Sequence, residues 1–344
     1  MLGHRDLLPD IIRSLVRVPD GAAHGLLVTD LNIWIRLEFL GVMARTGLAG
    51  ALRRPRTLDE LLHETALADS DLLEAVLALG ISLREVRFRH GRYHARGRRL
   101  RAITGSSPDL RGVVEELVVY GNRAYAAMDS HLRGAPAVEY DADCGAAIAA
   151  SSRIAEPILG SAVRAVTRHE SPQRVLDIGC GSGAYLRHML EAAPTATGLG
   201  IDRDAGAIRV ALNLLDPLRA EGRCELRQGD IAELAEELRA FNLVTLLNNI
   251  YYWPPERRSE TLRTIRTVIA PDGLLMLATA TTHGHAFNRH LDLMVRVNTS
   301  SHPLPTRDEI SVDLADAGYV DIETVQPLPK TGLLVAIARN PRQT

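Results

Sequence analysis

The stretch Val175–Ala184, Val-Leu-Asp-Ile-Gly-Cys-Gly-Ser-Gly-Ala, constrains the fold of this chain more than any other. Its apolar run from Arg174 to Ile178 predicts a buried strand, and a helix is expected from about Tyr185. Between them Gly179, Gly181 and Gly183 let the backbone turn sharply and let a ligand sit against bare main chain. A strand, a glycine turn and a helix in that order can hold a nucleotide. The dinucleotide pattern G-x-G-x-x-G/A also fits, through Gly179, Gly181 and Ala184, so the glycines alone leave the ligand open. Asp177 narrows the choice. A carboxylate two residues ahead of the first glycine repels a pyrophosphate lying over the turn and suits a ligand with an ammonium group and no phosphate.

The segments downstream agree in spacing. Thr197–Asp202 is a second short apolar strand, ending in an acid that can accept both ribose hydroxyls. Glu225–Asp230 is a third, ending in an acid placed to meet an adenine amino group, and Phe241–Asn248 is a fourth. With the D-x-G-x-G-x-G run and two spaced strand-end acids, residues 171–342 resemble the class I S-adenosylmethionine (SAM)-dependent methyltransferases. The resemblance implies an α/β fold with a seven-stranded Rossmann-like sheet and SAM as cofactor. It puts Asp177, Gly179, Cys180, Gly181 and Gly183 at the methionine part of SAM. Asp202 falls at the ribose and Asp230 with Ile231 at the adenine, and Arg203, Asn248 and Asn249 join the cofactor-binding set.

The chain of 344 residues has room for two domains, and its net charge of −2 gives no overall attraction to nucleic acid or anionic membrane. Lys330 is the only lysine, so the positive charge is almost all arginine. Cys144, Cys180 and Cys224 are odd in number and scattered, which argues against a disulfide framework and a zinc pair. No signal-like segment or membrane-length apolar run is evident, so a cytoplasmic protein is expected.

The region before the glycine turn reads as mostly helical. Apolar residues recur at helical spacing over 6–16 and again over 24–52. The second run, with Leu31, Ile33, Ile35, Leu37, Leu40, Val42 and Met43, is too apolar for an exposed helix and wants a partner. Thr57 with Glu60 makes a capping box, Asp69 or Ser70 caps a second short helix, and residues 86–94 alternate about a His90-Gly91 turn. Two short helices and a hairpin make a winged helix, which either binds DNA or mediates association. The second helix, Asp69 to Leu79, is acidic and apolar and carries no base-reading Arg, Asn or Gln, so no nucleic-acid partner is expected. The resembling small-molecule O-methyltransferases use such a region for an intertwined dimer, which implies a homodimer here. The expected domains are a dimerisation domain over 1–105, linker helices roofing the active site over 106–170, and the SAM-binding catalytic domain over 171–344.

The catalytic residues are less patterned. Many of the resembling enzymes carry His-Asp-Trp after the fourth strand, with the His as base. Here Asn248-Asn-Ile-Tyr-Tyr-Trp253 places Tyr251 at that position, and a phenol with a reference pKa of about 10 is a poor base at neutral pH. Three routes remain. A carboxylate acceptor, already ionised, would be held by Arg153 or by the long insert over 281–306. A histidine of that insert, His283, His285 or His290, would serve as base. Or the acceptor is carbon or nitrogen. Tyr120, Tyr125, Met128 and His131 line the pocket or, for most of them, belong to the core. The candidate catalytic set is His290, Tyr251 and Arg153. His283, His285, His290 and Asp292 are too loosely spaced for a metal site, and none is expected. The function expected is methyl transfer to a small natural-product or modified-peptide acceptor, most readily at oxygen. A C- or N-methyltransferase, a SAM-binding protein running a non-methyl reaction, and a DNA-binding regulator are the rivals.

Overall fold

The computed structural model describes residues 20–105, 108–136, 155–284, 286–298, 301–328 and 331–342. They fall into two compact units, 1–120 and 121–344. The division lies later than the expected break at 105/106, because Val114 and Val118 pack into the N-terminal core with Leu40, Met43, Leu77 and Leu100.

The N-terminal unit begins with the helix Gly21–Arg45, whose buried side chains gather in its last third. Thr57 and Glu60 cap the helix Leu58–Thr65 reciprocally, as the sequence pattern requires. Asp69 caps Ser70–Ser82 through the Leu72 amide at 2.9 Å. Strands β1 (Val86–Arg89) and β2 (Arg92–Ala95) then form an antiparallel hairpin. Its two-residue turn has φ of 50° at His90 and 72° at Gly91, the doubly positive geometry that matches strand twist in a tight hairpin. Backbone bonds in both directions between Arg56 and Tyr93 lash the hairpin to the segment ahead of the first short helix.

In the second unit seven strands form one sheet in the order β5-β4-β3-β6-β7-β9-β8. They are β3 (Arg174–Ile178), β4 (Thr197–Asp202), β5 (Cys224–Gln228), β6 (Phe241–Leu247), β7 (Ile269–Ala280), β8 (Val320–Val325) and β9 (Leu333–Arg339). All neighbours are parallel except β9, which runs antiparallel to β7 and β8. Alternation along the central strands sends Leu176, Ile178, Val244 and Leu246 into one core and Val175, Leu243 and Met276 into another. The helices Pro255–Val268 and Arg307–Asp316 cover the first, and Glu156–Glu170 and Ala184–Ala192 the second.

One local signal misleads. Pro271-Asp-Gly273 reads in the sequence as a turn ahead of the fifth strand, but β7 runs through it, with Asp272 at φ 63° and a register shift against β6. Within the insert, Ala286–Arg296 is an amphipathic helix with Asn288, Met294 and Val295 buried. The expected helix at 6–16 lies outside the described residues.

Loss of the first cap gives a simple check on the N-terminal unit. Thr57→Ala removes the acceptor of the Glu60 amide and is expected to destabilise that unit by about 1 kcal/mol. A lower urea midpoint by circular dichroism checks it, and an unchanged midpoint would show that the cap contributes nothing.

Candidate active site

Parallel strands with helices on both faces leave a crevice at their carboxyl ends where the strand order reverses. Here β3 is that point, with β4 on one side and β6 on the other. The turn after β3 is held open from below. The Cys180 amide donates to Ile201 O at 3.0 Å, and Cys180 O accepts from the Gly183 amide at 2.8 Å. Gly179, Gly181 and Gly183 all have positive φ, which side-chain-bearing residues resist. A Cβ on Gly179 would lie 2.4 Å from Asn249 Nδ2, and one on Gly183 2.6 Å from Leu215 Cδ1. A Cβ on Gly181 would meet nothing within 4 Å, so the crest of the turn is open main chain.

Asp177 sits beneath this crest, 1% exposed. It lies opposite Thr245 in the β3–β6 register, and the Thr245 hydroxyl donates to its Oδ1 at 2.7 Å. Its Oδ2 is buried with no hydrogen-bond partner among the described residues. Burial pushes its pKa up to about 7 against the pull of the Thr245 hydrogen bond, and the nearby Asp202 carboxylate adds to the rise. Asn249 is also buried: its Nδ2 donates to Ile178 O at 2.6 Å while its Oδ1 has no partner. Two orphaned acceptors beside one glycine turn call for a donor-rich cation, since leaving such groups unpaired costs about 1–3 kcal/mol each. The ammonium end of SAM fits that demand, and it carries no phosphate for Asp177 to repel.

Asp202 ends β4 and ties the turn to it: Oδ2 accepts from the Gly181 amide at 2.8 Å and Oδ1 from the Asp204 amide at 2.9 Å. Each carboxylate oxygen retains a further lone pair for a hydroxyl donor. Asp230 caps the short helix Ile231–Leu234 through the Ala232 amide, and Arg203 reaches to 3.7 Å from its Oδ2. The Ile231 side chain is core, 2% exposed, so only its main chain is left to face a ligand. The Cys180 thiol is likewise buried, beside Gly200, and burial raises its pKa strongly. Any part it plays is in shaping the turn. Asn248 turns the chain after β6 with φ 57°, its amide on Ala278 O at 2.7 Å.

Tyr251 lies in the 3-10 turn Ile250–Tyr252 and packs on the Tyr252 ring at 4.9 Å. Residues 301–305 strap this turn to the insert. The His302 amide donates to Tyr251 O at 2.8 Å, and the Leu304 amide to Asp292 Oδ1 at 3.0 Å. Arg258, buried in the helix Pro255–Val268, donates to Pro303 O at 2.5 Å. Asp292 also pairs with Arg296 at 2.9 Å, so it is a fastening of the insert helix and not a ligand set with the histidines. Among the described residues no group of three or more His, Cys, Asp or Glu is arranged to hold a metal. His290 is half-buried on the same helix, and desolvation lowers its pKa. Its Nδ1 is 2.9 Å from the Tyr125 hydroxyl, with the two rings stacked at 5.6 Å. Tyr125 is 51% exposed and is not core, whereas Tyr120 is 3% exposed and is. Arg153 and His285 lie outside the described residues.

Sequence reading missed Thr245 and Arg258, and left Tyr125 open between pocket and core. A lone hydroxyl in the apolar strand Phe241–Leu247 was a signal for the first, and nothing local marked the second.

Asp177→Asn separates the two consequences of the buried carboxylate. The raised pKa means that the native chain holds a proton the unfolded chain loses, so this group stabilises the fold at low pH and ceases to as pH rises through about 7. Asp177→Asn is therefore expected to raise the ligand-free Tm at pH 8 and to weaken SAM by roughly tenfold or more. Calorimetry and thermal melts check it, and unchanged values in both would contradict the assignment.

Residues 175–273 match the family model described as a methyltransferase domain. Methyltransferase ungE' of Aspergillus campestris is 33% identical over 112 residues, 32% of this chain and 33% of that protein. The matches span less than half the length of the curated relatives. Among solved structures, an O-methyltransferase family protein from Burkholderia thailandensis superposes with a TM-score of 0.75 at 18% identity, over 92% of this chain and 98% of that one. Human N-acetylserotonin methyltransferase in complex with SAM does so at 0.74 and 16%, over 94% and 99%. Similarity at that level of identity establishes the fold: the chain carries a methyltransferase domain and has the class I SAM-dependent methyltransferase architecture.

Proposed function

We propose that this chain is a SAM-dependent methyltransferase acting on an oxygen of a small natural product or modified peptide. The observation that carries the reading is the buried Asp177 oxygen without a donor, beneath an open glycine crest. SAM supplies a methyl group already activated on a sulfonium, so the protein's work is to bind, to orient and, for a hydroxyl acceptor, to take its proton. In support, the solved likenesses include an O-methyltransferase family protein and an enzyme named for a small acceptor, N-acetylserotonin. The free Cys180 and Cys224 suit a reducing cytoplasm, and no helix among the described residues is long and apolar enough to cross a membrane.

The base we assign is His290 rather than Tyr251. A lowered pKa keeps its ring neutral at pH 7. A base at Nε2 needs the proton on Nδ1, donated to Tyr125 Oη, and the 2.9 Å contact provides for that. Arg153 keeps its proposed role of holding an anionic acceptor. With a hydroxyl acceptor, kcat/KM is expected to rise with pH through a midpoint below about 6.5 and then level off. His290→Ala should cost roughly a hundredfold or more. A full rate in His290→Ala with a flat pH profile would point instead to an acceptor that arrives ionised.

We also propose a homodimer through the helix Gly21–Arg45. It exposes Leu26, Leu27, Leu31, Ile33 and Trp34, each at least half exposed. A contiguous apolar face of that kind marks an interface. Light scattering is expected to give twice the 37.6 kDa chain mass, and Leu27→Arg with Trp34→Arg to give a folded monomer. A monomer in the unaltered protein at micromolar concentration would contradict it.

A further inference from the structure

Charge in the N-terminal unit is sorted into two patches. Residues 57–75 hold six acids, Asp59, Glu60, Glu64, Asp69, Asp71 and Glu74, and no Arg or Lys. Residues 84–101 hold eight arginines and a single acid, Glu85. A preference for arginine over lysine does not account for this sorting. Nor does Glu85 neutralise the surface. It is 3% exposed, lies 3.7 Å from Arg36 and 3.8 Å from Arg99, and caps the next helix through the Leu100 amide.

The hairpin arranges the arginines. Arg89 lies directly opposite Arg92, and Arg87 opposite His94. Side chains alternate along a strand, so these four share the outer face while Val86 and Tyr93 are buried on the inner one. Like charges directly opposite destabilise a sheet. Arg92 is relieved by Glu60 at 2.8 Å. Arg87 and Arg89 are exposed and make no ion pair with any described residue.

We propose that the outer face of β1–β2 docks an acidic helix of a protein partner. Size and surroundings select that class. Four-residue strands span about 13 Å, about two and a half turns of helix. A nucleic-acid duplex or anionic membrane extends farther and would meet the acids of the adjacent helix Leu58–Thr65. Glu60 of that helix is in contact with Arg92 at 2.8 Å, and Asp59 and Glu64 are exposed on it. Those acids repel an extended polyanion within a Debye length of about 8–10 Å. A compact acidic stripe on a folded partner meets the arginines and avoids them. This surface does not depend on whether the chain transfers methyl groups.

The test titrates the full-length chain, by fluorescence anisotropy, with a labelled helical peptide of about 18 residues bearing glutamates in one i, i+3, i+4, i+7 stripe. An isomer with the same glutamates spread around the helix, a duplex of about 20 base pairs and phosphatidylserine vesicles serve as comparisons. The striped peptide is expected to bind roughly tenfold tighter than the isomer or the duplex, without vesicle retention of the protein, and to weaken with salt. Arg87→Glu with Arg89→Glu should lower its affinity by roughly tenfold or more while the melting curve is kept. Should that pair misfold, Arg87→Ala with Arg89→Ala is read instead, with an expected loss of about threefold or more. Equal binding of the isomer, tighter binding of the duplex, capture by vesicles, or indifference to the substitutions would overturn the proposal.

Discussion

One unpaired carboxylate oxygen organises the catalytic unit. Asp177 is buried in a sheet interior where a charge is costly; Thr245 hydrogen-bonds one of its two oxygens, the Leu186 amide adds a lesser pull, and the other oxygen has no hydrogen-bond partner among the described residues. Everything around it keeps the other oxygen available. The glycine turn holds side chains away, Cys180 shapes that turn from beneath, and Asp202 pins its crest to the next strand. Such a group is unfavourable in the ligand-free protein and favourable once a cation arrives. The cost of folding the site is thereby converted into selectivity for a ligand that carries an ammonium group and no phosphate.

The parts of the molecule that were legible in the sequence are those whose signal is local. Strand, glycine turn and helix around Val175–Ala184 follow from a short apolar run and three glycines, and the hairpin from alternation about His90-Gly91. Contacts that depend on register or on distant packing were not legible. Thr245 meets Asp177 across 68 residues of chain, and Tyr125 meets His290 across 165. Nothing in helical spacing separated Tyr125 from Tyr120, so pocket and core stayed open for both. Pro271-Asp-Gly273 carries every local mark of a turn, yet pairing with β6 on both sides of it keeps β7 continuous. Asp292 looked like a spare acid beside histidines, and only the tertiary structure shows it already spent on Arg296 and the Leu304 amide.

The strap over residues 301–305 explains why an insert that long can serve a site. Its main chain bonds to the 3-10 turn of Tyr251 directly, to the helix of His290 through the Asp292 carboxylate, and to the buried Arg258 through its guanidinium. The N-terminal unit contributes differently, through surfaces: an exposed apolar helix face and a separated pair of charged patches, neither of which a small folded unit needs for its own stability.

The central claim is that an ionised Asp177 meets the ammonium group of SAM. Calorimetric titration of SAM in buffers of different ionisation enthalpy measures the protons exchanged on binding. With the free carboxylate at about 7, binding near pH 6.5 should release about 0.8 proton per site, falling toward zero near pH 8 and absent in Asp177→Asn. Binding of SAM with no proton release at pH 6.5, or with the same release in Asp177→Asn, would contradict the account.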